Sequence, residues 1–204
     1  EIYILFSGEA GTGIKTIESL IAPLLKNEGY NFYISKEIMS RVRGGNNVTQ
    51  LRVSSNKVTS MTERNNYIIV LSKNSLYRLN DRLQEDTILI GPKAFIEDSY
   101  SEKYKTIYIE FAEEARKVGN IMFSNIVIIG FLGGVLGLTF SNVEKLISKK
   151  FAKKGDDIVK KNIEAYEKGE NLGKESNLKV EIEKNELVKR TGVSTGTEAM
   201  AVGS

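Results

Sequence analysis

At 204 residues the chain has room for one α/β domain with a real core plus a short tail, and two full domains would be tight. A formal net charge of +3 with acids and bases interspersed, and an aromatic content of 8%, give neither a long-range field nor a stacking platform for nucleic acid. Cysteine and histidine are both absent, which excludes disulfides, zinc ribbons, thiolate nucleophiles, ordinary iron–sulfur ligation, Ser/His triads and HExxH metal sites, so any redox or hydrolytic chemistry is expected on another domain.

The chain opens on a short apolar, β-branched run, Ile2 to Phe6, as expected of a strand buried on both faces. Gly8, Gly11 and Gly13 follow, and then Ile14, Ile17, Leu20, Ile21, Leu24 and Leu25 recur at helical spacing. A strand, glycine loop and helix in this order can hold an anion, because glycines admit close approach and a helix start offers free N–H groups. The order G-x-x-G-x-G is neither the dinucleotide G-x-G-x-x-G nor a P-loop, however. Two readings therefore stand side by side: a ligand loop formed by Gly8, Gly11, Thr12 and Gly13, or a tight turn that lets helix and strand pack closely. The helix is expected to end at Gly29, with a kink or early break at Pro23.

Tyr30 to Ile34 reads as a second strand. Next comes Ser40-Arg41-Val42-Arg43-Gly44-Gly45-Asn46-Asn47, a basic, glycine-paired loop leading into a strand from Val48 to Ser54. Guanidinium forks suit phosphates and carboxylates, and paired glycines let a loop lie against another backbone. A solvated turn is the plain alternative. Tyr67 to Leu71 and Thr87 to Ile90 are core strands, with a helix expected between them on Leu76, Leu79 and Leu83; Thr106 to Phe111 is the last strand. Alternating strands and helices predict an α/β, doubly wound, mainly parallel sheet flanked by helices.

Val118 to Phe140 carries no charge and is long enough to cross a bilayer, but Asn120, Ser124 and Asn125 lie in its first third. A long helix in a soluble core, broken near Gly130 to Gly137, is the preferred reading. Ser141-x-x-Glu144 reads as a capping box for the next helix, and Gly155-Asp156-Asp157 as the start of another that ends at Gly169. Gly169 to Ser176 reads as a linker, and Asn177 to Ser204 as the opening of a further domain. No Lys/Arg-flanked signal peptide begins the chain, which points to the cytoplasm and no membrane.

With these pieces in order, the chain resembles the gamma domain of 2-oxoacid:ferredoxin (acceptor) oxidoreductases, of the kind fused N-terminal to the alpha subunit. The matching residues are Phe6 to Thr16, Ser40 to Asn47, Asn125 in the glycine-bearing helix, Lys153 to Asn162 with Ala165 and Gly169, and Thr195 to Ala201. Thr12-Gly13 stands where a Gly-Gln-Gly type loop is common in that family, and Asn47 follows Asn46 where many relatives have His first. The resemblance implies a gamma domain over residues 1–175, then a linker and the start of an alpha, thiamine-pyrimidine domain over 176–204. It implies a non-catalytic part of a complex that oxidatively decarboxylates a 2-oxoacid such as pyruvate or 2-oxoglutarate to an acyl-CoA. Thiamine diphosphate, magnesium and an iron–sulfur cluster would sit on partner domains, with coenzyme A as co-substrate. The partners would be the alpha domain of the same chain, a beta subunit and ferredoxin. Gly8, Gly11, Thr12, Gly13 and Arg43 would serve a ligand, and Arg41, Arg43, Gly44, Gly45, Asn46 and Asn47 an interface. A free-standing flavin- or nucleotide-binding module using the Gly8–Gly13 loop is the alternative.

Overall fold

A computed structural model describes residues 1–9, 11–37, 45–178 and 180–193. Its strands are β1 (Ile2–Glu9), β2 (Asn31–Glu37), β3 (Asn46–Ser54), β4 (Tyr67–Val70), β5 (Ile88–Gly91) and β6 (Lys105–Tyr108). The helices are α1 (Ile14–Glu28), α2 (Ser75–Arg78), α3 (Asp98–Ser101), α4 (Phe111–Val118), α5 (Ser124–Leu136), α6 (Phe140–Phe151) and α7 (Asp156–Glu175). One six-stranded sheet has the order β2-β3-β1-β4-β5-β6. It is mainly parallel, as expected. The exception is β3, which runs antiparallel to both β1 and β2, so β2 and β3 form a hairpin-like pair joined by the arginine-bearing loop.

Both sheet faces are covered, unequally. Ile2, Ile4, Phe6, Leu51 and Val53 meet α1, α4, α5, α6 and α7 in the larger core. Leu5, Val48, Ile68, Val70 and Leu89 face Leu76, Leu79, Ile96 and Tyr104 in the smaller one. The helix expected over Leu76–Leu83 shrinks to the single turn α2 and a 3-10 turn at Asn80–Arg82. Helix α1 runs unbroken through Pro23 to a left-handed Gly29 cap. The carbonyl deprived of a donor by Pro23 is that of Ser19, which is exposed and can bind water instead.

The charge-free stretch is not one helix. Gly119 and Asn120 interrupt it, a 3-10 turn follows at Ile121–Phe123, and α5 ends at a left-handed Gly137. No single helix among the described residues is long and apolar enough to cross a membrane. Gly130, Gly133 and Gly134 do not break α5; they let it lie directly against α7. A Cβ at Gly130 would be 2.1 Å from the Tyr166 carbonyl oxygen, and one at Gly169 would be 1.9 Å from the Val127 carbonyl oxygen. Gly169 is therefore an interior contact of α7 rather than its end, and residues 169–175 are helix rather than linker.

The capping box at Ser141 does not form either, because α6 already starts at Phe140 with Thr139 as its cap residue. Thr139 turns its hydroxyl to Glu28 instead. Glu28 is 3% exposed and accepts from Thr139 N, Thr139 Oγ1, Asn142 Nδ2 and Lys184 Nζ at 2.8, 3.0, 2.8 and 2.6 Å. Lys184 belongs to a strap after α7 in which Val180 and Ile182 pack on the core. Asn185 N donates to the Gly29 carbonyl at 2.8 Å, so the strap crosses the C-terminal end of α1.

Candidate functional site

Two loops singled out in the sequence meet at one edge of the sheet. The register places Gly8 opposite Asn47 and Glu9 opposite Asn46, so the end of β1 lies beside the start of β3. This is the carboxyl edge of the parallel strands, where open α/β sheets carry their ligands. Arg41, Arg43 and Gly44 lie outside the described residues; Gly45 is buried with a positive φ of 34°.

The loop after β1 is held by its own turn. Thr12 N and Thr12 Oγ1 both donate to the Glu9 carbonyl, at 3.1 and 2.8 Å. Gly11 adopts φ 101° with open space where a Cβ would be. Gly13, at φ 80°, is the first cap residue of α1, and its carbonyl accepts from Thr16 N at 2.8 Å. A Cβ on Gly13 would lie 1.9 Å from Asn125 Nδ2, and one on Gly8 would lie 2.7 Å from Thr12 Oγ1. Both glycines are thus required by close packing, as the plain reading of the loop expects. That packing also leaves Gly11 and Thr12 facing a cavity.

Asn46 is the pin that fixes the second loop. Its amide donates to Ser7 Oγ at 2.7 Å and its carbonyl accepts from Ser72 Oγ at 3.3 Å; Ser75 Oγ closes the network on the Ser7 carbonyl at 2.9 Å. All four side chains are buried, and a satisfied buried network of this kind specifies one arrangement. Asn47 has a buried Oδ1 without a hydrogen-bond partner among the described residues.

The cavity itself has a volume of about 840 Å³, within the range of small-molecule sites. Gly11, Thr12 and Thr16 form one wall, Leu71 and Pro92 the strand ends, and Phe95 and Phe111 the apolar floor. The turn between α4 and α5 contributes Asn120, Met122 and Asn125, and the α6–α7 corner contributes Phe151, Lys154 and Lys161. The committed site residues Gly11 and Thr12 line this space, while Gly8, Gly13 and Asn46 support it from behind. The two lysines and Met122 stand outside the sites expected from the loops. Their trace in the sequence is the interruption Gly119-Asn120 in an apolar run and the lysine-dense stretch from Lys145 to Lys161.

Metal chemistry does not fit this chain. It has no thiol or imidazole, and among the described residues no three Asp or Glu side chains gather where an ion would sit.

Residues 3–172 match the pyruvate ferredoxin/flavodoxin oxidoreductase family. A relative, the 2-oxoglutarate synthase subunit KorC of Archaeoglobus fulgidus, is 24% identical over 176 residues, covering 85% of this chain and 89% of that subunit. Among solved structures, a 2-oxoglutarate:ferredoxin oxidoreductase from Magnetococcus marinus, with 2-oxoglutarate, coenzyme A and succinyl-CoA bound, superposes with a TM-score of 0.86 at 23% identity. That likeness covers 99% of this chain but only 36% of the Magnetococcus chain. The gamma subunit of a keto/oxoacid ferredoxin oxidoreductase from Geobacter sulfurreducens gives 0.63 at 18% identity, over 86% of this chain and 99% of that one. The pyruvate oxidoreductase subunit PORC from Thermotoga maritima gives 0.66 at 20% identity, over 83% and 95%.

Proposed function

The chain belongs to the pyruvate ferredoxin/flavodoxin oxidoreductase family, and from that premise we propose that it is the gamma domain of a 2-oxoacid:ferredoxin oxidoreductase, a non-catalytic part that completes an acyl-CoA-forming complex. The family match over residues 3–172 in a chain without cysteine or histidine carries this reading. A decarboxylating, electron-transferring reaction needs thiamine, metal and cluster ligands, and this chain has no thiol or imidazole to supply a cluster. Those groups belong to partner domains. Residues 1–175 are the gamma domain, and 176–204 lead into an alpha domain of the same polypeptide; the Magnetococcus chain, of which this one spans 36%, supports such a continuation.

In this reading the adjoining loops at the carboxyl edge of the sheet face the rest of the complex and the entry of coenzyme A. Arg41 and Arg43 meet a partner carboxylate or a phosphate, Gly44 to Asn47 shape the contact, and Gly8 to Gly13 form the ligand side. The Asn46 network holds the base of that contact rigid. The complex works in the cytoplasm and passes its electrons to ferredoxin. Replacing Arg43 by Ala in the full complex tests the assignment. Assembly is expected to weaken, or the KM for coenzyme A to rise; unchanged assembly with unchanged kinetics would refute it.

A further inference from the structure

We infer that Lys154 and Lys161 hold the phosphates of coenzyme A at the rim of the 840 Å³ cavity, with the apolar floor receiving the phosphate-free pantetheine arm. This assignment rests on the reading that the complex consumes coenzyme A, and it adds side chains that neither loop supplies.

The cavity's charge is the first argument. The chain has 26 acidic residues, yet none lines this space, whereas Lys154 and Lys161 both do. Neither lysine has an acidic partner within 4.0 Å among the described residues. Between Lys145 and Lys161 stand seven lysines and two aspartates, a larger positive balance than the +3 of the whole chain. The corner beside the cavity is therefore the basic part of the molecule, and low-dielectric walls concentrate its field on whatever enters.

Placement is the second. The Lys154 ammonium lies 5.6 Å from the centroid of the Phe151 ring, which keeps it at the rim instead of trailing into solvent. Lys161 rests against Gly119, where an added Cβ would lie 3.1 Å from its Nζ. Asn125, also on the cavity wall, makes no hydrogen bond among the described residues, so its amide is available to a peptide-like group in the ligand. Two cations at the mouth, a free amide on the wall and the Phe111 floor match an anion with an amide-bearing, weakly polar arm.

The test uses the purified full complex with coenzyme A and with pantetheine, which lacks the phosphates. Lys154→Gln and Lys161→Gln are each expected to raise the KM for coenzyme A roughly tenfold while leaving the KM for pantetheine unchanged, since a charged contact is lost only with the phosphates. The two variants together should abolish most of the preference for coenzyme A over pantetheine. Lys145→Gln, on α6 but off the cavity, is the control. An unchanged KM for coenzyme A in the double variant would overturn the lysine assignment alone, as would an equal loss with both thiols. A wild-type complex that does not use coenzyme A would overturn the functional reading as well.

Discussion

Glu28→Gln should loosen the strap and the end of α1 together. The carboxylate is the last residue of α1, where the helix dipole disfavours a negative charge. It is kept there by four donors: Oε1 accepts from Thr139 N and Asn142 Nδ2, and Oε2 accepts from Thr139 Oγ1 and Lys184 Nζ. A glutamine of the same shape must turn its NH2 toward one of these two sets, so a donor meets donors whichever way it sits. Removing one partner from a buried ion pair costs about 3–5 kcal/mol. The Lys184 side chain is 38% exposed and can return to water, so the expected loss is at or below that lower bound, about 2–3 kcal/mol. With a urea m-value of about 2 kcal/mol/M, the unfolding midpoint should fall by roughly 1–1.5 M.

The loss should also depend on pH. Burial alone would raise the Glu28 pKa, but the donors from Lys184, Asn142 and Thr139 outweigh it and hold the pKa below its ordinary value of 4.5. A carboxylate whose folded pKa is depressed contributes fully above the unfolded value and less as pH falls through the folded one. The gap between wild type and variant should be constant at neutral pH and narrow below 4.5. Identical urea midpoints at neutral pH would refute the reasoning.

Three other perturbations probe different contacts. Gly13→Ala should be strongly destabilising by thermal melting, because it combines a left-handed φ of 80° with the contact at Asn125. Adding Asn125→Ala should recover the steric part and leave about 1–2 kcal/mol of backbone strain; no recovery would show that the side-chain contact is immaterial. Gly130→Ala should cost at least about 1–3 kcal/mol, since its Cβ would meet the Tyr166 backbone, and an unshifted melting temperature would contradict the close α5–α7 packing. Tyr166→Phe should be neutral or stabilising by about 1 kcal/mol: the buried hydroxyl has no partner among the described residues, and a large loss would mean that it makes an important bond.

Local signals identified the strand-loop-helix opening, because Ile2 to Leu25 carries its own periodicity and Gly29 its own cap. The core strands β4 and β5 were equally legible as short apolar runs. What sequence reading missed depends on distant partners. Ser141-x-x-Glu144 looked like a helix start, but Thr139 takes that place while bonding Glu28 across 111 residues. Gly130 and Gly169 looked like breaks, although each instead faces the backbone of the opposite helix. The reversal of β3 followed from no local pattern, since alternating residues fit either direction. The candidate site was readable at the glycine loop but not at Lys154 and Lys161, which tertiary packing brings to the same cavity.

The most direct measurement compares 2-oxoacid oxidation by the purified full complex with that of this chain alone, each supplied with thiamine diphosphate, magnesium, coenzyme A and ferredoxin. Coenzyme A-dependent ferredoxin reduction by the complex and none by the isolated chain is the expected result. Turnover by the chain alone, or a complex inactive toward every 2-oxoacid tried, would contradict the account.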